Sequence, residues 1–196
     1  LLQDENINVC ISTDTFRAEN FNPNIKKIYE ITDKFNGIAK NIKHSQLDVR
    51  GAKFEGNTVA CFSYYVDRKD DMTIFLNANL SKASKQMLEL ETKNQIDAKF
   101  WSPCDKDEYI NHTLAHEYGH FVEKLLIDKK MQADERSKNM SYVEKKQLHN
   151  IYAVKIKLDI LKIQKERFNK KDKFISSYGE KDSREFFAET FANLVD

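Results

Sequence analysis

The chain has 196 residues, 32 of them basic and 31 acidic, with a formal net charge of +1 and a hydrophobic share of 40%. This length bounds it to one substantial core, and the apolar share is enough to fill that core. The even charge balance leaves no footprint for nucleic acid or an anionic membrane, and no apolar run nears the roughly 18 residues that span a bilayer.

The chain starts at Leu1, which points to a piece of a longer protein, and "LLQDENINVC" lacks the basic and apolar regions of a signal peptide. In "NPNIKKIYEITDKFNGIAKNI" Asn22 can cap a helix and Pro23 can open it. Ile25, Ile28, Thr32, Phe35, Ile38 and Ile42 then recur at helical spacing as a core face. From Leu47 to Leu80 the period shifts toward two, and "LDVRGAKF", "TVACFSYYV" and "MTIFLNANL" read as three strands, with "DRKDD" turning between the last two. "SKASKQMLELE" reads as helix. Ser102, Pro103 and Asp105 then form a start signal for a helix that carries "HTLAHEYGHFVEKLL".

After Leu126 the chain turns polar, and a long helix follows from about Tyr142 to Phe168. Its residues Ile151, Val154, Leu158, Leu161 and Phe168 form a seam at three-and-four spacing for packing on the body of the protein, the preferred reading, or on a partner helix. A last helix starts at Asp182 or Ser183. The expected architecture is α+β in a single domain, with an α/β part to about residue 128 and a helical part over residues 129–196. A small mixed sheet should lie over the motif helix. Cys10, Cys61 and Cys104 form no C-x-x-C pattern and read as buried free thiols.

The chemistry concentrates in "HEYGH". On a helix His116 and His120 stand one turn apart on one face, so both imidazoles can reach one ion, while Glu117 lies on an adjoining sector as a general base. Chance yields such a motif in roughly one per hundred chains of this composition. His112 extends the series, but about 12 Å of helix axis separates it from His120, too far for a shared ion, which leaves it a surface or supporting residue. His44 and His149 read as structural. A third protein ligand must come from elsewhere, because Leu126 stands where a third histidine would continue a metzincin pattern. "SREFFAETFANL" offers Glu185 and Glu189, again four apart, beside Ala188 and Ala192, which would allow close helix approach, with Phe187, Phe191 and Leu194 anchoring the other side. Spacing alone leaves both glutamates open, and each has an ordinary alternative: Glu185 as a capping acid at the third helical position, Glu189 as a solvated residue.

"HEYGH" followed some sixty residues later by "SYGEKDSREFFAETFANL" resembles the gluzincin metallopeptidases, specifically the catalytic-domain type of anthrax lethal factor. Relatives of that type include clostridial Pro-Pro endopeptidases and zinc peptidase domains of phage minor head proteins and bacterial polymorphic toxins. The likeness covers about residues 109–125 and 174–195. It implies a zincin-like fold and a zinc-dependent endopeptidase acting on a protein or peptide. It also implies His116, His120 and Glu185 as zinc ligands, Glu117 as base, Tyr178 as a catalytic phenol, and Glu189 as the partner that fixes a ligand imidazole. The implied setting is a bacterial cytoplasm or delivery with a phage or toxin. The alternative is a non-catalytic zinc-binding interaction module of such a protein. "MTIFLNANL" is either the edge strand that aligns an extended substrate or an ordinary strand of the sheet.

Overall fold

The computed structural model describes residues 8–11, 30, 32–33, 46–52, 54, 58–66, 71–77, 90, 93–98, 109–167 and 176–195. Most of the expected first helix, the "SKASKQMLELE" helix, the Ser102 cap, the "DRKDD" turn, His44, Cys104 and Phe168 lie outside them.

The fold is α+β. Four strands, β1 (Asn8–Ile11), β2 (Gln46–Ala52), β3 (Ala60–Tyr64) and β4 (Met72–Asn77), form one sheet in the order β1-β2-β4-β3. The first two pairings are parallel, and β3 runs antiparallel to β4 with Phe62 opposite Ile74. Alternation writes β2: Leu47 and Val49 are buried, while Asp48 and Arg50 pair with each other on the other face. β4 is an inner strand and is buried along nearly its whole length, Thr73 and Asn77 included. This corrects the expected edge: "MTIFLNANL" supplies an inner strand, and the edges of the described sheet are β1 and β3. β1 was not expected, since four residues in "NINVCI" give too short an alternation to stand out.

Beneath the sheet runs α1 (Tyr109–Ala133), whose Leu114, Phe121 and Leu125 are buried and whose Phe121 meets Phe62 edge-on at 6.1 Å between ring centroids. It continues past Leu126 through the polar run, with Ile127 and Met131 keeping its inner face apolar. A 3-10 turn (Glu135–Asn139), capped by Asp134, links it to α2 (Tyr142–Arg167). Ser141 and Glu144 open α2 with a reciprocal capping box: Ser141 N–H donates to Glu144 Oε2 at 2.7 Å, and Glu144 N–H to Ser141 Oγ at 3.4 Å. The face of α2 turned inward is Leu148, His149, Ala153 and Ile156. The seam of Ile151, Val154, Leu158 and Leu161 is on the opposite side, 39–59% exposed, which corrects its expected role in the core.

The last helix, α3 (Ser183–Val195), begins where the sequence placed it, with Asp182 Oδ1 accepting N–H bonds from Arg184 at 2.8 Å and Glu185 at 3.0 Å. Phe186, Phe187, Ala188 and Ala192 are buried, whereas Leu194 is 79% exposed and anchors nothing. α3 crosses α1 at Gly119, where an added β-carbon would lie 2.8 Å from Ala188 Cα and 3.1 Å from Ala188 O. Among the described residues no helix is long and apolar enough to cross a membrane.

Candidate metal centre

The close crossing of α1 and α3 brings the two halves of the sequence pattern together. His116 and His120 project from α1 with ring centroids 4.8 Å apart and nearly perpendicular planes. Glu185, in the first turn of α3, aims Oε2 between them, 3.1 Å from His116 Nε2 and 3.5 Å from His120 Nε2. The three candidate ligand atoms lie within 4.8 Å of one another. Around a tetrahedral ion bonded at about 2 Å, ligand atoms sit about 3.3 Å apart, so the two measured separations match what one ion would require. His116, His120 and Glu185 could therefore hold a metal ion.

Glu189 completes the support. It is fully buried and accepts from His116 Nδ1 at 2.8 Å through Oε1, an arrangement that leaves Nε2 as the metal-facing nitrogen. Its other oxygen accepts from Ser176 Oγ at 2.6 Å. His112 is buried, with Nε2 3.8 Å from the same Glu189 Oε1, so its surface reading fails and its supporting one stands. Ser176 was not singled out from the sequence, where nothing distinguishes it from its neighbour Ser177.

The electrostatics follow from this crowding. Burial opposes the His116 imidazolium, but the hydrogen bonds to Glu185 and Glu189 more than offset it and lift the group to about 9. Burial likewise works against the Glu185 and Glu189 carboxylates. The histidines nevertheless hold both well below the usual carboxylate range, His116 and His120 acting on Glu185, and His112 and His116 on Glu189. The position of Glu185 in the first turn of α3 adds the favourable end of the helix dipole.

Glu117 is buried beside this group, and its charge acts on His116, Tyr178 and Cys61. The ring of Tyr178 stands 5.6 Å from that of His116, and Glu185 and Glu117 act on its phenol. Burial, then the nearby Glu185 and Glu117 charges, push the phenol well above its ordinary value and keep it a proton donor. Cys61 is a half-buried free thiol, raised by burial and by Glu117.

A second polar layer lies further along α1. Lys124 pairs with Asp128, and its Nζ stands 5.4 Å over the Tyr64 ring, which stacks on His149 at 5.5 Å. Arg184 donates to Asn150 Oδ1 at 2.7 Å and lies 3.5 Å from His149 Nδ1. His149, read from the sequence as structural, is fully buried against the Tyr64 ring with Arg184 and Lys124 nearby. No protein family, curated protein or solved structure matches the chain significantly.

Proposed function

We propose that the chain is a zinc-dependent endopeptidase of the gluzincin type with a zincin-like fold. The observation that carries this reading is the Glu185 carboxylate, which faces both histidine Nε2 atoms while Glu189 holds His116 from behind. Two imidazole nitrogens and one carboxylate oxygen are the donor set of a catalytic zinc site with an open position. When bound, the ion supplies Lewis acidity, lowering the pKa of water and polarising a carbonyl oxygen.

The chain's own residues do the rest. Glu117 takes the proton of the attacking water and returns it to the departing amine. Tyr178, kept protonated by burial and by its acidic neighbours, donates to the oxygen that gains negative charge. β3, the edge strand beside α1, aligns the substrate as an added strand, with main-chain bonds giving affinity.

The test is a cleavage profile on a diverse peptide mixture with zinc, repeated with a chelator and with Glu117→Gln. Cleavage should depend on zinc, and the variant should keep stoichiometric zinc while turnover falls at least about 100-fold. Zinc binding without cleavage of any peptide favours the interaction module instead. Unchanged turnover in Glu117→Gln removes the proposed base.

A further inference from the structure

We infer that Ser176 is a positioning residue that ties the imidazole of His116 and the phenol of Tyr178 to a single carboxylate, that of Glu189. A serine hydroxyl has one proton to give and lone pairs to accept with. Here the proton goes to Glu189 Oε2 at 2.6 Å, and a lone pair accepts the Gly179 N–H at 3.1 Å. The same residue's carbonyl accepts the Glu180 N–H at 3.3 Å, and the carbonyl of Tyr178 accepts the Lys181 N–H at 3.1 Å. Tyr178 therefore sits inside a turn fastened at Ser176 by side chain and main chain together.

Glu189 uses its two oxygens for two tasks. Oε1 sets the ring of His116, and Oε2, through Ser176, sets the turn that carries Tyr178. Ser176, Gly179 and Glu189 are all buried, so water cannot replace either bond on the hydroxyl at no cost. A rigid link of this kind holds the metal-facing nitrogen and the phenol in one frame, which a site working at sub-ångström tolerance requires.

This inference rests on the metallopeptidase reading above, and its experiment separates the two. Ser176→Ala and Ser176→Thr are compared with the parent, alone and in a Tyr178→Phe background. Zinc affinity is read by competition with a chelating dye, and kcat and KM on the best peptide from the mixture. Ser176→Ala should weaken zinc binding about 10-fold, the usual size for a lost outer partner. It should lower kcat about 10-fold with KM within about twofold, and Ser176→Thr should restore both. In the Tyr178→Phe background Ser176→Ala should still weaken zinc binding but should no longer lower kcat. Additive loss of kcat in that background, or zinc affinity untouched by Ser176→Ala, overturns the proposal.

Should Ser176→Ala not fold, Glu189→Gln carries the test, because it leaves the turn's own sequence intact. The Gly179 amide should then exchange at least about 10-fold faster than in the parent, and an unchanged rate overturns the link. A chain that binds zinc yet cleaves nothing sinks the peptidase reading, while the affinity and exchange measurements still decide the role of Ser176.

Discussion

Glu123 is a carboxyl group with almost no access to water, 2% exposed, and burial lifts it from an ordinary 4.5 to about 8. Arg184 pulls the other way, and Asp182 and Glu185 add to the rise. His149 is its mirror case: burial, reinforced by Arg184 and Lys124, lowers it from 6.5 to about 3. The two act on stability with opposite signs. The folded chain keeps a proton on Glu123 that the unfolded chain surrenders, so this contribution is complete below pH 4.5 and is lost as pH rises through about 8. The unfolded chain protonates its histidine below pH 6.5 while folded His149 does not, so that contribution is complete above 6.5 and fades as pH falls toward about 3. Glu123→Gln removes the first term. Relative to the parent, the variant should gain stability steadily as pH rises from about 4.5 to 8, followed by urea unfolding across that range. A difference that does not vary with pH would mean Glu123 is not held neutral.

At the scale of elements, the site depends on how closely α1 and α3 approach. Gly119 lies inside α1, where alanine would favour the helix by about 1 kcal/mol. The added β-carbon would meet Ala188 main chain at 2.8 Å, so the helices must part, and overpacking of this kind costs about 1–3 kcal/mol. The steric term should win. Gly119→Ala is expected to lower the melting temperature and, because α3 carries Glu185 and Glu189, to weaken the metal binding proposed for His116, His120 and Glu185 in the same variant. A rise in melting temperature would show that the crossing yields without strain. The sequence made this crossing readable only in part. Ala188 and Ala192 signalled a close approach, and "SREFFAE" at a helix start proved right in its position. Glu185 separates its two readings: Asp182 does the capping by accepting the Glu185 N–H, and the Glu185 carboxylate turns to the histidines instead of back to the helix start. Ser176 and β1 stayed hidden because a lone serine and a four-residue strand have no period to detect, and acquire meaning only from what α3 and β2 bring beside them.

Over the whole molecule, α2 is the element whose sequence misleads, since it is apolar on two sides. Leu148, Ala153 and Ile156 face inward, while Ile151, Val154, Leu158 and Leu161 face outward. Periodicity reveals a stripe but not which of two stripes meets the core. Substitution can tell them apart. Ile156→Ala should destabilise by about 2–4 kcal/mol as a buried truncation, whereas Leu158→Glu should stay within about 0.5 kcal/mol. Both are measurable by thermal or denaturant unfolding, and a large loss in Leu158→Glu would mean that the outer stripe is covered.

The crossing at Gly119 and Ala188 also acts as a gauge for the chain's tolerance of length change. His116 and His120 lie three residues before and one after Gly119, and Glu185 and Glu189 lie three before and one after Ala188. The two glutamates thus occupy on α3 the offsets that the two histidines occupy on α1. One inserted residue between either member of a pair and its contact point would swing that side chain about 100 degrees around its helix, off the shared face. The stretch between the two helices carries no such constraint on its length, since both pairs are referenced to the contact point and not to the path of the chain between them. Insertions in the exposed 3-10 link at 135–139 should therefore leave the metal-facing atoms in register, and a single insertion at 117–118 should scatter them.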